Sequence, residues 1–343
     1  MIMGVFSGLM DFLSRVAPLP TKKLPDLYLP SNRLSLFDVL KSLLEPKIEP
    51  RQPHDDVNEL LAESHIARAV FDKQILPLLT NILSAQRPVI GPAKKTDRAE
   101  AKVAGKLQID QELIDSYRAS GQIHYGLNCD YTRSMQTVGI MHFIQRASDI
   151  FQGRGIVTID KADGSKPINI VILDVENGFI EELGHKPNLM RINLKLAIPI
   201  ELKDGTQTFH VLEHKILLKA SLQNEKEGCA AWSELRALNE RVSQLGIAFD
   251  RAAANSDEAS TLLQEFGDVS SLQDKWVDKR AEINARDYKI KGIDALIGYT
   301  SKSKSGSVRG ISWTFTPLED VVAQLKAEQH QKSAPQVSHR NPV

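Results

Sequence analysis

The chain has 343 residues, 42% hydrophobic and 25% charged, with 43 Lys and Arg against 43 Asp and Glu. That composition belongs to a globular protein with a sizeable core, and its balanced charge excludes a global field for nucleic acid or membranes, so any basic site is local. The two cysteines, Cys129 and Cys229, have no CxxC spacing, which argues against a cysteine zinc site or a disulfide framework and for a reducing, cytoplasmic compartment.

At the N-terminus, Val5, Phe6, Leu9, Met10, Leu13 and Val16 share one helical face. Asp11 interrupts the apolar stretch, which is too short to span a bilayer and lacks the basic start of a signal peptide. A helix packed on its own protein is the expectation; a membrane-surface anchor or a partner-binding helix is the alternative. Residues 17 to 53 are punctuated by prolines around one short helix, SLFDVLKSLLEP, and read as a linker or a surface strap. A helical run over about 55 to 86 follows, with Leu60, Leu61, Ile66, Val70, Ile75, Leu78, Leu79 and Ile82 as its apolar series.

Residues 94 to 118 read as a basic helix and a second short one, with Lys94, Lys95, Arg98 and Lys102 on one helical face. Between 121 and 151 a strand precedes the helix MHFIQRASDIF. GIVTIDKADGSKPINIVILDV then reads as strand, Asp-Gly turn, strand. The segments 190–200 and 207–218 form a second pair around Asp204-Gly205, with Ile192, Leu194 and Leu196 alternating in one, and Phe209 and Val211 in the other. Helices dominate from 220 to 285, SKSKSGSVRG is a flexible basic loop, GISWTFTP a strand or loop, and LEDVVAQLKAEQ a last helix before a disordered tail at 331–343. Hairpins interleaved with helices define an α+β fold with a mixed sheet flanked by helices.

Three groups could carry chemistry. The basic helix face suits phosphate recognition, where Arg offers a bidentate fork and Lys a point charge; a solvated surface is the plainer reading. Asp130 and Arg133 are either a surface salt bridge or a carboxylate for Mg²⁺ beside a phosphate-binding cation. Glu213 is a carboxylate in the middle of a strand, costly unless cations or donors meet it. Lys215 shares its face, and pairing with the preceding strand would add Arg191, Asn193 and Lys195. No Walker-type GxxxxGK[ST], dinucleotide GxGxxG or GxSxG motif is present. His54-Asp55 spells the metal dipeptide of certain hydrolases but reads as a chance match, Trp232, Trp276 and Trp313 as core residues, and Cys229 as a small packing residue.

Taken in order, GPAKKTDRAEAKVAGKL, CDYTRSM, VENGF, RINLKL, HVLEHK and EKEGCAAWSELR resemble the RelA/SpoT-like (p)ppGpp synthetase domain family over roughly residues 90 to 240. The resemblance implies a nucleotidyltransferase-like fold and a Mg²⁺-dependent pyrophosphokinase. Such an enzyme moves pyrophosphate from ATP to the 3′-hydroxyl of a guanosine nucleotide, the alarmone chemistry of the stringent response. It implies Asp130 and Glu213 as catalytic and metal-holding residues, and Lys95, Arg98, Lys102, Arg133, Arg191, Lys195 and Lys215 around phosphates. His185 and Asn193 fall toward the acceptor. The implied organisation is an N-terminal arm over 1–54, a catalytic domain over 55–240, a mostly helical extension over 241–330 and a tail over 331–343.

The chain departs from the family pattern where a Gly-Tyr strand would stack on guanine: Gly184-His185 or Leu189 stands there. Lys215 replaces the glutamine of Glu-x-Gln, and the histidine of the last helix is missing, with Ala230, Ala231 and Trp232 in that stretch. These departures point to a divergent acceptor, another nucleotide or RNA. The competing readings are a catalytically inactive nucleotide- or partner-binding copy of the fold, and an interaction protein docking through its N-terminal helix. A secreted bacterial effector fits either.

Overall fold

The computed structural model describes residues 33–45, 48–86, 89–90, 99, 129–139, 141–179, 190–251, 257–299, 301 and 303–333. The N-terminal amphipathic run and Lys95, Arg98, Lys102, His185 and Leu189 lie outside them. One eight-stranded mixed sheet organises the fold in the order β1-β2-β6-β5-β4-β3-β8-β7. Its strands are β1 (Val89–Ile90), β2 (Arg133–Val138), β3 (Gly155–Lys161), β4 (Ile168–Asn177), β5 (Arg191–Glu201), β6 (Gln207–Leu218), β7 (Ser305–Val308) and β8 (Ile311–Pro317). Only β2 and β6 pair in parallel; the other neighbours are antiparallel.

The helices are α1 (Leu36–Ser42), α2 (Val57–Val70), α3 (Leu76–Ile82), α4 (Met141–Ile150), α5 (Leu222–Arg251), α6 (Asp257–Asp287) and α7 (Leu318–Ser333). Asp56 starts α2 by accepting from the Asn58 and Glu59 amides at 2.9 Å, satisfying two orphan donors of the first turn. Ser35 caps α1 in the same way, accepting from the Asp38 amide at 3.1 Å. Between α2 and α3 a π-helical turn, Phe71–Ile75, absorbs one extra residue where Pro77 enters the next helix.

Alternation along β5 and β6 decides the two faces. Ile192, Leu194, Leu196, Ile198 and Ile200, with Leu212 and Ile216, bury against α2, α3 and α4 in the larger core. The opposite face holds Ala197, Phe209, Val211, Val171, Leu173 and Ile156 under α1 and α7 in the smaller one. The short helix of the proline-rich segment is therefore not a surface strap: Leu36, Val39, Leu40 and Leu43 are each 3% exposed or less and pack beside α7. The basic loop after 300 is also partly ordered, since Ser305–Val308 forms the edge strand β7.

β3 pairs with β8 along its whole length, so the sheet draws strands from both sides of residue 240, which itself lies within α5. Helices α5 and α6, of 30 and 31 residues, form an antiparallel hairpin, a rod of roughly 45 Å. Ala231, Leu235 and Leu245 on one helix and Val269 and Ile283 on the other are buried along its seam, Ala231 to Leu245 and Val269 to Ile283 each being two heptads apart, as in coiled-coil packing. Gly228 admits Ile283, whose Cγ2 lies 3.9 Å from the point a Cβ would occupy. Asn224 donates to Asp287 at 2.6 Å and Arg286 pairs with Glu227 at 2.6 Å at the base; Arg241 pairs with Glu265 further out.

Candidate functional site: a charged half-face of the sheet

The face of β5 and β6 that is apolar under α1 and α7 turns polar toward the other end of the same strands. Strand pairing sets Arg133, Glu213, Lys195 and Asp174 in one row across β2, β6, β5 and β4, and Met135, Lys215, Asn193 and Glu176 in the next. Paired residues point to the same side of a sheet. Asp130 lies just before β2 and is 9% exposed, so it is not the surface residue a plain salt bridge would need. The structure thus brings together Arg133, Arg191, Asn193, Lys195, Glu213 and Lys215 from three strands at one end of the sheet, with Asp130 three residues before Arg133 in the chain. The backbone makes the parallel join: the Glu213 amide donates to the Thr132 carbonyl at 3.0 Å.

Asp174 and Glu176 were not singled out from the sequence, although ILDVEN carries them at the two-residue period of one strand face. Their orientation depends on a register shift between Ile172 and Asp174. Ile172 belongs to the larger core and Leu173 to the smaller, so simple alternation would send Asp174 into the larger core. The bulge re-aims it onto the polar face.

Most of these charges already have partners. Lys195 donates to Asp174 at 2.7 Å; burial opposes its charged form, but the Asp174 carboxylate prevails and raises its pKa. Glu225, on the first turn of α5, accepts from Arg191 at 2.6 Å and Lys215 at 3.1 Å. Burial works against that carboxylate too, yet the two cations hold its pKa below the usual carboxylate value. Asn193 donates to Glu176 at 3.4 Å. Glu213 and Arg133 differ: among the described residues neither side chain has a hydrogen bond or ion pair. The centre of the half-face therefore offers one uncommitted carboxylate and one uncommitted guanidinium side by side.

Such an array offers the Glu213 carboxylate to a divalent cation and the Arg133 guanidinium to phosphate oxygens, while Lys195, Arg191 and Lys215 can exchange their carboxylate partners for an anionic ligand. No group on this face disqualifies it for Mg²⁺, since carboxylate oxygens are the donors that ion takes.

On the opposite face of β2 and β6 a different polar set is buried. His214 meets the Ser134 hydroxyl at 2.6 Å and the Phe71 ring at 5.3 Å, and burial drives its pKa down to about 3, so it stays neutral. His54 lies in the loop before α2. It is 5% exposed and its Nε2 lies 3.1 Å from Glu63, while Asp55 pairs instead with Arg51 at 2.9 Å.

Of the tryptophans, Trp313 is core at 7% exposure, but Trp232 is 41% exposed and held under the Arg280 guanidinium at 4.5 Å. Trp276 is half-buried on the α6 seam. Cys229 is exposed rather than packed, and both cysteines are free thiols. Among the described residues no helix is long and apolar enough to cross a membrane.

No family model matches the chain, and no curated protein does. Four chains of solved structures match. Two are the small alarmone synthetase 1 from Bacillus subtilis bound to AMPCPP and the complex between the Type VI effector Tas1 and its immunity protein. The first is 11% identical, covers 66% of this chain and 96% of that chain, and has a TM-score of 0.27. The second is 11% identical, covers 64% and 96%, and has a TM-score of 0.24. At such TM-scores neither likeness bears on what this chain does. Its own geometry defines an α+β protein whose mixed sheet carries a charged half-face beside a helical arm.

Proposed function

We propose that the charged half-face binds a nucleoside triphosphate and catalyses transfer of pyrophosphate to the 3′-hydroxyl of a nucleotide or RNA acceptor, guanosine nucleotides first among them. The observation that carries this reading is the β2–β6–β5 register. It sets Arg133, Glu213 and Lys195 in one row beside Lys215 and Asn193, residues to which the sequence resemblance gives metal, phosphate and acceptor roles. In this transfer the acceptor oxygen forms a bond to the β-phosphorus of ATP, the bond from that phosphorus to the α-β bridging oxygen breaks, and AMP leaves. The hydroxyl proton passes to a base.

Glu213 is the residue we assign to hold that proton or the metal, because its carboxylate is uncommitted. Asp130 would share the Mg²⁺, whose charge would offset that of the phosphates when bound. Arg133 takes a phosphate oxygen through its free guanidinium. Lys195, Arg191 and Lys215 stabilise negative charge as it builds on the transferred group, and Lys95, Arg98 and Lys102, which lie outside the described residues, are assigned as the further cations this nearly neutral face needs. Phosphoryl-type transfer depends mainly on such positioning and charge stabilisation. His185 and Asn193 are assigned to the acceptor side.

The test is incubation of the full chain with γ-labelled ATP, Mg²⁺ and a panel of GDP, GTP, other nucleotides and RNA, alongside Glu213→Gln and Asp130→Asn. Label on one acceptor, lost in both variants, supports the proposal; silence with every acceptor overturns it. A second reading, an inactive copy that binds nucleotides or a protein, draws on one observation: Glu225 and Asp174 already neutralise Arg191, Lys215 and Lys195. Nucleotide binding without transfer would favour it.

A further inference from the structure

A second polar cluster sits on the other face of β6, where the start of α2 crosses it. His54 Nε2, Glu59 and Glu63 present ligand atoms within 4.8 Å of one another. Glu59 and Glu63 are four apart on α2 and share a face, and His54 arrives from the segment before the helix. From the strand side comes His210, 0% exposed, with no hydrogen-bond partner on either ring nitrogen and its Nδ1 3.9 Å from Glu63 Oε2. A fully buried imidazole without a partner, aimed at a carboxylate, is a costly arrangement that calls for an occupant.

The spacings say which one. His54 Nε2 to Glu63 Oε2 is 3.1 Å, His54 Nε2 to Glu59 Oε2 is 3.9 Å, and His210 Nδ1 to Glu63 Oε2 is 3.9 Å. A tetrahedral ion with bonds of about 2.1 Å separates its ligands by about 3.4 Å. His54, Glu59 and Glu63 already lie within 4.8 Å of one another, and His210, set against Glu63, would complete the shell by turning toward the other two.

We propose that His54 Nε2, His210 Nδ1, Glu63 and Glu59 form a Zn²⁺ site that ties the segment before α2 to strand β6. Two imidazoles and two carboxylates are a donor set zinc takes readily. Arg33 fits as an outer partner: it bonds Glu63 through Oε1 at 2.5 Å, leaving Oε2 for the ion, and holds Glu59 at 2.6 Å through Oε2, the oxygen facing His54, which the ion would share with it. Ligating carboxylates are commonly oriented by such second contacts. Coordination at His54 Nε2 moves the ring proton to Nδ1 and gives up the 3.2 Å contact from the Asp56 amide, one neutral hydrogen bond exchanged for a coordinate bond. Without an ion the same residues form a plain Arg33–Glu63–His54 network, and the two states differ measurably.

The experiment uses the full chain, stripped with a chelator and desalted. It is titrated calorimetrically with Zn²⁺, then with Co²⁺ as a visible-absorption probe, and melted with and without zinc. One equivalent of zinc, tetrahedral Co²⁺ bands, and a rise in Tm of about 5 °C at zinc a hundredfold above Kd are expected. Glu59→Gln, at a half-exposed ligand, should fold normally and weaken zinc binding by about tenfold or more. His210→Gln should abolish stoichiometric binding, and if it does not fold, Glu59→Gln alone decides. No zinc uptake by the wild type, or uptake unchanged in Glu59→Gln, overturns the proposal.

Discussion

Strands β5 and β6 are buried in the same way along their larger-core face but carry two different surfaces on the other. At one end Ala197, Phe209 and Val211 lie under α1 and α7, each 1% exposed or less. Toward the other end the same alternating positions are Arg191, Asn193, Lys195, Glu213 and Lys215. Nothing in the backbone changes between the two halves: register and pairing run through unbroken. The chemistry of the covering partner changes. The apolar half stabilises by removal from water, at roughly 25 cal/mol per Å². The charged half gains little net stability from its ion pairs once their desolvation is counted, and so its composition is explained by what it can bind.

The sharpest way to break that contrast is to truncate one residue in each half of β6. Phe209→Ala, with a side chain 0% exposed, should lower unfolding free energy by about 3–5 kcal/mol, read as a shifted urea midpoint at unchanged m-value. Glu213→Gln should leave that midpoint within about 0.5 kcal/mol of wild type while reducing pyrophosphate transfer by about 10²-fold or more. Equal stability losses at both positions would erase the distinction between core and site.

Smaller effects sharpen the comparison. Glu225→Gln releases Arg191 and Lys215, and should cost about 1–2 kcal/mol of stability while tightening ATP binding in equilibrium titrations. The pH dependence carries a definite sign. The folded pKa of Glu225 lies below its unfolded value, so its contribution is fully present above about pH 4.3 and is lost as pH falls through the lowered folded value. Urea midpoints between pH 7 and pH 3 should therefore converge for wild type and Glu225→Gln at the acid end. Trp232→Ala, in the arm and far from either core, should cost only about 0.5–1 kcal/mol through its lost Arg280 contact, with transfer unchanged.

Much of the fold is legible in the residues. Period-2 alternation places β3 to β6, the Asp204-Gly205 turn fixes the β5–β6 hairpin with Gly205 at φ 82°, and the apolar series of α2 and α3 marks the larger core. Other elements are not legible in the sequence because their meaning is non-local. Leu36, Val39, Leu40 and Leu43 look like a proline-flanked surface turn until α7, nearly three hundred residues later, supplies the other half of their core. The basic segment after 300 becomes strand β7 only because β8 offers it an edge. Trp232 looked like core because large aromatics usually are, yet its neighbour across the arm is an arginine.

The site divides in the same way. Sequence by itself determined which charges sit on one face of one strand: Arg191, Asn193 and Lys195 together, and Glu213 with Lys215, because a strand's side chains alternate with period two. It also determined which residues alternate inward and so form a core. Only the tertiary structure decided that Arg133 pairs beside Glu213 through a parallel β2–β6 contact, that a bulge after Ile172 turns Asp174 toward Lys195, and that Glu225 reaches back from α5. It likewise placed His210 against Glu63, more than a hundred residues away in the chain. Periodicity is a local property of the backbone. Register, bulges and the approach of a helix to a strand are set by packing between distant segments, and no local pattern records them.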